Sequence, residues 1–174
     1  MVRMAWICCL LHGVNAVAPL VEDLAEKYAG TDKARDDHKF VDLYGMMLDP
    51  IRERVANVTE IGVAYGLSLE IWNDFFPSAN IWGIDLSVAN IVRRRLQAKK
   101  RIHLLAADSR DCSSVSALGF ASSTMDVIID DGPHNADANE ALLACLWHTL
   151  RPGGLYFIEV CCYHHCTKKR HTSM

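Results

Sequence analysis

The spacing of apolar positions changes character repeatedly along the chain. Val58, Ile61 and Val63 form a short run that closes on Glu60, Ile61 and Gly62, the pattern of a buried strand ending in a turn. Beyond Gly66 the apolar residues recur every three or four positions, as Leu67, Ile71, Trp72, Phe75 and Phe76, which predicts a helix over 67–76. The alternation continues downstream. Strands are predicted at 81–86, 101–107, 125–130 and 155–160, and helices at 88–100 and near 115–118. A further helix carries Ala138, Ala141, Leu142, Cys145, Leu146 and Thr149 on one face and stops at Pro152-Gly153-Gly154. Upstream, residues 21–29 read as a short helix stopped by Gly30. Residues 38–48 read as a second, with Val41, Tyr44 and Leu48 on one face. Asp49-Pro50 restarts a last turn through Arg54, proline being favoured at a helix's first position.

Strands and helices in strict alternation predict a mostly parallel sheet with helices on both faces, a Rossmann-like α/β three-layer sandwich. Counting from the strand at residue 57, right-handed crossovers favour the order 3-2-1-4-5. A chain of 174 residues, 51% of them hydrophobic, suits one compact domain. The expected division is a leader at 1–20, the domain at 21–160 and an irregular tail at 161–174.

Composition narrows the function. The net charge of −3 argues against general nucleic-acid binding. The basic run Arg93-Arg94-Arg95 with Lys99-Lys100-Arg101 reads as a solvated helix face. Seven cysteines at irregular spacing favour mostly reduced thiols. Arg3, the apolar run 4–11 and the small residues Ala16 and Ala18 resemble a signal peptide. The run is short, however, and Pro19 would follow the cut awkwardly. The expectation is therefore a cytoplasmic protein, with a secretory leader as the alternative. The run is also shorter than the ~20 residues needed to span a bilayer, so no stable membrane insertion is expected. In the tail, Cys161, Cys162, His164, His165, Cys166 and His171 could bind zinc. Adjacent pairs cannot easily aim four ligands at one ion, so an irregular end is the preferred reading.

Candidate chemistry gathers at the predicted carboxyl ends of the strands, where open α/β sheets bind ligands. Those ends carry Glu60, Asp85, Asp108, the pair Asp130-Asp131, and Glu159. Acids clustered on one edge repel each other unless something binds them. A dinucleotide turn wants glycine at three places, and Ala64 and Leu67 occupy the second and third. There is no P-loop lysine either. A ligand without phosphate fits better, held through its hydroxyls and positive charge, and S-adenosylmethionine is such a ligand. Asp85 would accept from the ribose hydroxyls and Gly62 would admit the methionine end. Asp108 and Ser109 would lie near the adenine. Glu60, Tyr65, Gly66 and Asp130 complete the candidate cofactor set, although Tyr65 could equally cover the start of the helix. Thr31-Asp32-Lys33 is either a helix-linking turn or part of a lid.

Glu60-Ile61-Gly62-x-x-x-Gly66, Gly83-Ile84-Asp85 and Leu150-Arg151-Pro152-Gly153-Gly154 resemble the class I S-adenosylmethionine-dependent methyltransferases. Gly30-Thr31-Asp32-Lys33, Trp72 before Phe76-Pro77, and Asp130-Asp131-Gly132-x-His134 are similar to one branch. That branch contains the macrolide sugar O-methyltransferases and the cephalosporin-hydroxylase-like enzymes. The resemblance covers roughly residues 28–160. It implies methyl transfer to a hydroxyl of a small molecule or sugar, with Asp131 and Glu159 as magnesium ligands and His134 as the base. Hard oxygen ligands suit magnesium, and a neutral histidine can take a hydroxyl proton near pH 7.

The chain departs from the branch at three places. Val160 stands where a second acid would follow Glu159, Pro133 replaces a small polar residue, and the branch's final antiparallel strands are expected to be missing. The competing expectation is thus a domain that binds the cofactor without turnover. A nicotinamide-dependent oxidoreductase is a third class, disfavoured by the glycine turn.

Overall fold

The computed structural model describes residues 3–8, 19–28, 33 and 40–160. Its strands are β1 (Arg3–Cys8), β2 (Asn57–Ile61), β3 (Asn80–Asp85), β4 (Ile102–Ala106), β5 (Met125–Asp130) and β6 (Leu150–Val160). Its α-helices are α1 (Pro19–Lys27), α2 (Phe40–Leu48), α3 (Leu67–Phe75), α4 (Asn90–Leu96), α5 (Cys112–Ser116) and α6 (Ala136–Leu146). A 3₁₀ turn over Asp49–Arg54 follows α2, with Pro50 at its start.

The sheet runs β1-β6-β5-β2-β3-β4, and every described pairing is parallel. Omitting β1, this is the expected order 3-2-1-4-5. The sixth strand lies within the stretch read as a leader. It pairs along its whole length with β6, from Arg3 opposite Leu155 to Cys8 opposite Val160.

Strand geometry divides the apolar residues between two faces, because successive side chains point to opposite sides. Val127, Ile129, Leu155 and Phe157 pack with Tyr44, Leu69, Trp72, Phe75, Val92 and Leu96, from α2, α3 and α4. Ile128, Tyr156 and Ile158 pack with Val115, Leu142, Cys145 and Leu146, from α5 and α6. Helices on both faces explain why β5 and β6 read as nearly unbroken apolar runs. No helix among the described residues is long and apolar enough to cross a membrane.

Several boundaries differ from the periodicity, each for a local reason. The fifth predicted strand starts at Leu150 rather than 155, since the Pro152-Gly153-Gly154 bend is absorbed by a register irregularity opposite Met125 and Val127. The helix predicted over 88–100 ends at Leu96. Lys99–Arg101 therefore lie in a turn rather than on a helix face, and Arg101 does not lie in solvent as expected. Its guanidinium donates at 2.7 Å to the carbonyls of Phe76 and Ala79 and also to that of Asn73, satisfying backbone acceptors at the end of α3. Asp111 caps α5, accepting from the Ser113 N–H, so that helix begins ahead of the apolar residue that predicted it.

Cys112 and Cys145 form a disulfide with their Cα atoms 5.7 Å apart, tying α5 to α6. For this pair the expectation of reduced thiols is corrected. The residues are 33 positions apart, and only the packing of two successive crossover helices on one sheet face brings them together. The cysteine- and histidine-bearing tail lies outside the described residues.

Candidate functional site

β2 lies between β3 and β5, where the strand order reverses direction. The crevice beyond the carboxyl ends at such a point is where open α/β sheets bind ligands. Here it is a cavity of about 450 Å³ whose lining includes Gly62, Asp85, Asp108, Ser109, Asp131 and His134.

Gly62 sits on the cavity wall with φ +91°. A Cβ there would stand 2.0 Å from the carbonyl oxygen of Asp131, so the turn after β2 admits glycine alone. Asp85, at the end of β3, braces the same turn. Its Oδ2 accepts the Val63 N–H at 2.8 Å and its Oδ1 accepts the Ser87 N–H at 3.1 Å. The carboxylate is thus held at the cavity wall by backbone donors from the segments that follow β2 and β3.

Asp108 and Ser109 lie beyond β4 on the same wall. Arg110 grips the Asp108 carboxylate with Nε at 2.9 Å and Nη2 at 2.8 Å. Those bonds hold the Asp108 carboxyl down at about 2, so it is ionised in ordinary buffers.

Beyond β5 stand Asp131 and His134. His134 adopts φ +50°, and Asn135 caps α6 by accepting the Asp137 and Ala138 N–H groups. A left-handed histidine is a costly conformation that surrounding contacts must impose. One such contact is its ring Nδ1, 2.9 Å from the backbone carbonyl of Glu159. A carbonyl only accepts, so Nδ1 carries the proton. In the neutral ring Nε2 is then the lone-pair nitrogen. It stands 3.6 Å from Asp131 Oδ1, on the cavity wall.

The acids predicted to share one edge are in fact distributed by strand parity. Glu60 and Glu159 point towards the α2–α3 side, where they meet Lys33, a residue only 1% exposed. Lys33 Nζ lies 2.8 Å from Asp131 Oδ2, 2.8 Å from Glu159 Oε1 and 3.5 Å from Glu60 Oε1. Tyr44 also donates its hydroxyl to Glu159 Oε1, and Trp72 Nε1 donates to Glu60 Oε2 at 3.0 Å. Burial pushes the Glu60 carboxyl up to about 8, against the pull of Lys33. Burial likewise raises the Tyr44 hydroxyl, with the Glu159 charge adding to it. Glu60 thus faces this buried cluster and does not line the cavity.

Asp130 points to the opposite face. Its Oδ2 accepts from Asn139 at 2.8 Å and its Oδ1 from the Gly132 N–H at 3.3 Å. Burial lifts its carboxyl to about 6 in spite of those bonds. Its place is under the turn, outside the cavity lining. Tyr65 is 75% exposed, and its carbonyl accepts from Arg95. Gly66 starts α3 with φ +70°, and a Cβ there would stand 2.9 Å from Val92 and Leu96. Its smallness serves the packing of α3 against α4.

Of the eleven predicted site residues, Gly62, Asp85, Asp108, Ser109, Asp131 and His134 line the cavity, and Glu159 stands behind it. Sequence reasoning did not assign Lys33 or Tyr44 to the site. The signal for Lys33 was its place in Gly-Thr-Asp-Lys, although nothing local said which acids it would meet.

The oxygen chemistry at Asp131 and Glu159 suits a hard cation. Their carboxylates converge on the point held by Lys33 Nζ, and Glu159 Oε2 is buried with no hydrogen-bond partner among the described residues. Among the described residues no cluster of three or more His, Cys, Asp or Glu side chains forms a metal site. Magnesium usually keeps several waters and takes only one or two carboxylates, so a pair is enough.

Comparison with known proteins is consistent with this geometry. Residues 59–159 match a family described as a methyltransferase domain. The chain is 33% identical over 129 residues to the 8-demethyl-8-alpha-L-rhamnosyl tetracenomycin-C 2'-O-methyltransferase of Streptomyces olivaceus, covering 70% of this chain and 33% of that protein. It is 31% identical over 158 residues to the mycinamicin VI 2''-O-methyltransferase of Micromonospora griseorubida, covering 86% of this chain and 38% of that protein. The structure superposes with a TM-score of 0.72 and 30% identity on the MycE methyltransferase of mycinamycin biosynthesis, solved with Mg, SAH and mycinamycin VI. That match covers 81% of this chain and 37% of the other. The chain therefore spans less than two fifths of the length of these relatives.

Proposed function

The chain belongs to the methyltransferase-domain family, and on that footing we propose that it transfers a methyl group from S-adenosylmethionine to a hydroxyl of a small molecule or sugar, with magnesium bound at Asp131 and Glu159. The observation that carries this reading is the cavity itself. Asp85 stands on one wall and His134 Nε2 on another, on either side of a turn that admits only glycine.

The cofactor supplies an electrophilic methyl on a sulfonium, and the residues of the chain do the rest. Asp85 offers its carboxylate to the ribose diol, and Asp108 and Ser109 border the adenine end. Gly62 lets the methionine end approach the backbone of the turn. Asp131 and Glu159 would hold the cation, which would supply a hard Lewis acid for the acceptor hydroxyls. His134 Nε2 takes the acceptor proton as the new C–O bond forms and the S–CH₃ bond breaks, which leaves an imidazolium beside Asp131. Holding donor and acceptor close supplies most of the acceleration for such an in-line transfer. Both relatives carry O-methyltransferase in their names, and one names a rhamnosyl compound as what it acts on, which favours a sugar hydroxyl as acceptor. MycE is solved with Mg and SAH, which supports the cofactor and metal assignments. Inactive binding is the less favoured reading.

The test combines binding with turnover. S-adenosylhomocysteine should raise the melting temperature of the chain, by ~2.7 kcal/mol of added stability at a hundredfold excess over its dissociation constant. Labelled methyl should pass from S-adenosylmethionine to a glycoside with a vicinal diol in the presence of Mg²⁺. A melting temperature indifferent to the cofactor would overturn the reading. Binding without transfer to any hydroxylated acceptor would leave the inactive domain in its place.

A further inference from the structure

Three acids and one ammonium meet between α2 and the carboxyl ends of β2 and β6. Lys33 Nζ stands at equal distance, 2.8 Å, from Asp131 Oδ2 and Glu159 Oε1, and 3.5 Å from Glu60 Oε1. These are the same two carboxylates that would hold the divalent ion in the function proposed above, on which this inference rests. Lys33 and Glu159 are each 1% exposed, and the ammonium occupies the point on which the Asp131 and Glu159 oxygens converge.

Magnesium binds oxygen at about 2.0–2.1 Å. An ion in contact with both carboxylates would lie within a few ångströms of Nζ, and two like charges at that separation in a poorly solvated pocket repel strongly. The carboxylates also need the ammonium when no metal is bound. Asp131 and Glu159 could not remain converged and buried as anions without a positive partner.

We propose that Lys33 is the resident counter-cation of the Asp131–Glu159 pair and that a divalent ion must expel its ammonium in order to bind. Metal loading and burial of Lys33 are then alternatives. The ammonium keeps the two ligands aimed at one point in the metal-free protein, and the arriving ion releases the chain at Lys33 from the sheet edge. Lys33 is a positioning residue in this scheme, since it contacts the ligands rather than the reacting atoms.

The experiment follows cleavage by trypsin in the unaltered chain. The peptide bond after Lys33 is compared with that after Lys27, whose side chain is 58% exposed and serves as an internal reference. Binding of Mn²⁺, used as a spectroscopic stand-in for Mg²⁺, is measured on the same protein and on Lys33→Met. The expected result is that Mg²⁺ raises the rate of cutting after Lys33 at least tenfold relative to Lys27. Lys33→Met should bind Mn²⁺ at least tenfold more tightly than the unaltered chain. Metal binding with unchanged cleavage at Lys33 and unchanged affinity in Lys33→Met would overturn the inference and leave the metal assignment standing. If neither protein binds metal, both fall together, and only the cofactor assignment, tested by its own melting shift, survives. Should Lys33→Met fail to fold, cleavage and Mn²⁺ binding in the unaltered chain decide the matter without it.

Discussion

His134 Nδ1 lies 2.9 Å from the backbone carbonyl of Glu159, so the β6 residue whose side chain meets Lys33 also sets the tautomer of the imidazole through its backbone. The carbonyl can only accept, which leaves Nε2 as the basic nitrogen at the cavity wall. Under the proposed function one residue would serve two purposes, its side chain for cation chemistry and its main chain for proton transfer.

His134→Ala should lower the rate of methyl transfer by about 10²–10⁴-fold, the usual contribution of a positioned base. Binding of S-adenosylhomocysteine should hardly change, because in the proposed mechanism the imidazole would take the acceptor proton and leave the cofactor contacts alone. Calorimetry and single-turnover kinetics on the same preparation separate the two effects. A parallel fall in cofactor affinity would place His134 in the cofactor site instead.

Gly62→Ala should be far more disruptive than its size suggests. The added Cβ would stand 2.0 Å from the Asp131 carbonyl oxygen, in a backbone with φ +91°. A destabilisation of about 3 kcal/mol or more is expected from backbone strain and displacement together. Urea titration measures it, and a change below 1 kcal/mol would mean that the turn is softer than its contacts imply.

Asp74, on α3, ties three elements together. It accepts from Lys27 at 2.8 Å, Tyr28 at 2.6 Å and Lys99 at 3.2 Å. Burial pulls its carboxyl upward, yet the bonds from Lys27, Tyr28, Asn73 and Lys99 outweigh it and hold the group well below the ordinary carboxylate range. A depressed folded-state value means that Asp74 contributes stability above its unfolded value, near pH ~4. The contribution is lost as pH falls through the folded value. Asp74→Asn should therefore cost about 1–2 kcal/mol at pH 7, a discounted figure for a partly exposed site. The gap from the unaltered chain should close in strong acid. A penalty that is the same at pH 7 and pH 2 would show that charge is not its source.

The Cys112–Cys145 link closes a loop with a sequence separation of 33 residues. Chain-entropy estimates give about 3–4 kcal/mol for a loop of this size. Reduction, or the double substitution Cys112→Ser with Cys145→Ser, should lower thermal stability accordingly. Equal melting temperatures with and without reductant would show that the two thiols are merely packed together.

The order of the elements, the central five-strand sheet and the motif turns were legible in the amino-acid pattern, because period and punctuation are local properties. Gly62, Asp85 and His134 could be named for the same reason, each marking a strand end. What each acid faces was not legible. Glu60, Asp130 and Asp131 are close in type and setting, yet the two-residue period of a strand turns Glu60 towards Trp72 and Lys33 and turns Asp130 towards Asn139. Asp131, one step past its strand, is left to reach both the cavity and Lys33. The meeting of Lys33 with Glu159, 126 positions away, and the Cys112–Cys145 link depend on which helix crosses which face of the sheet. Those are long-range outcomes of packing, and only the assembled tertiary structure decides them.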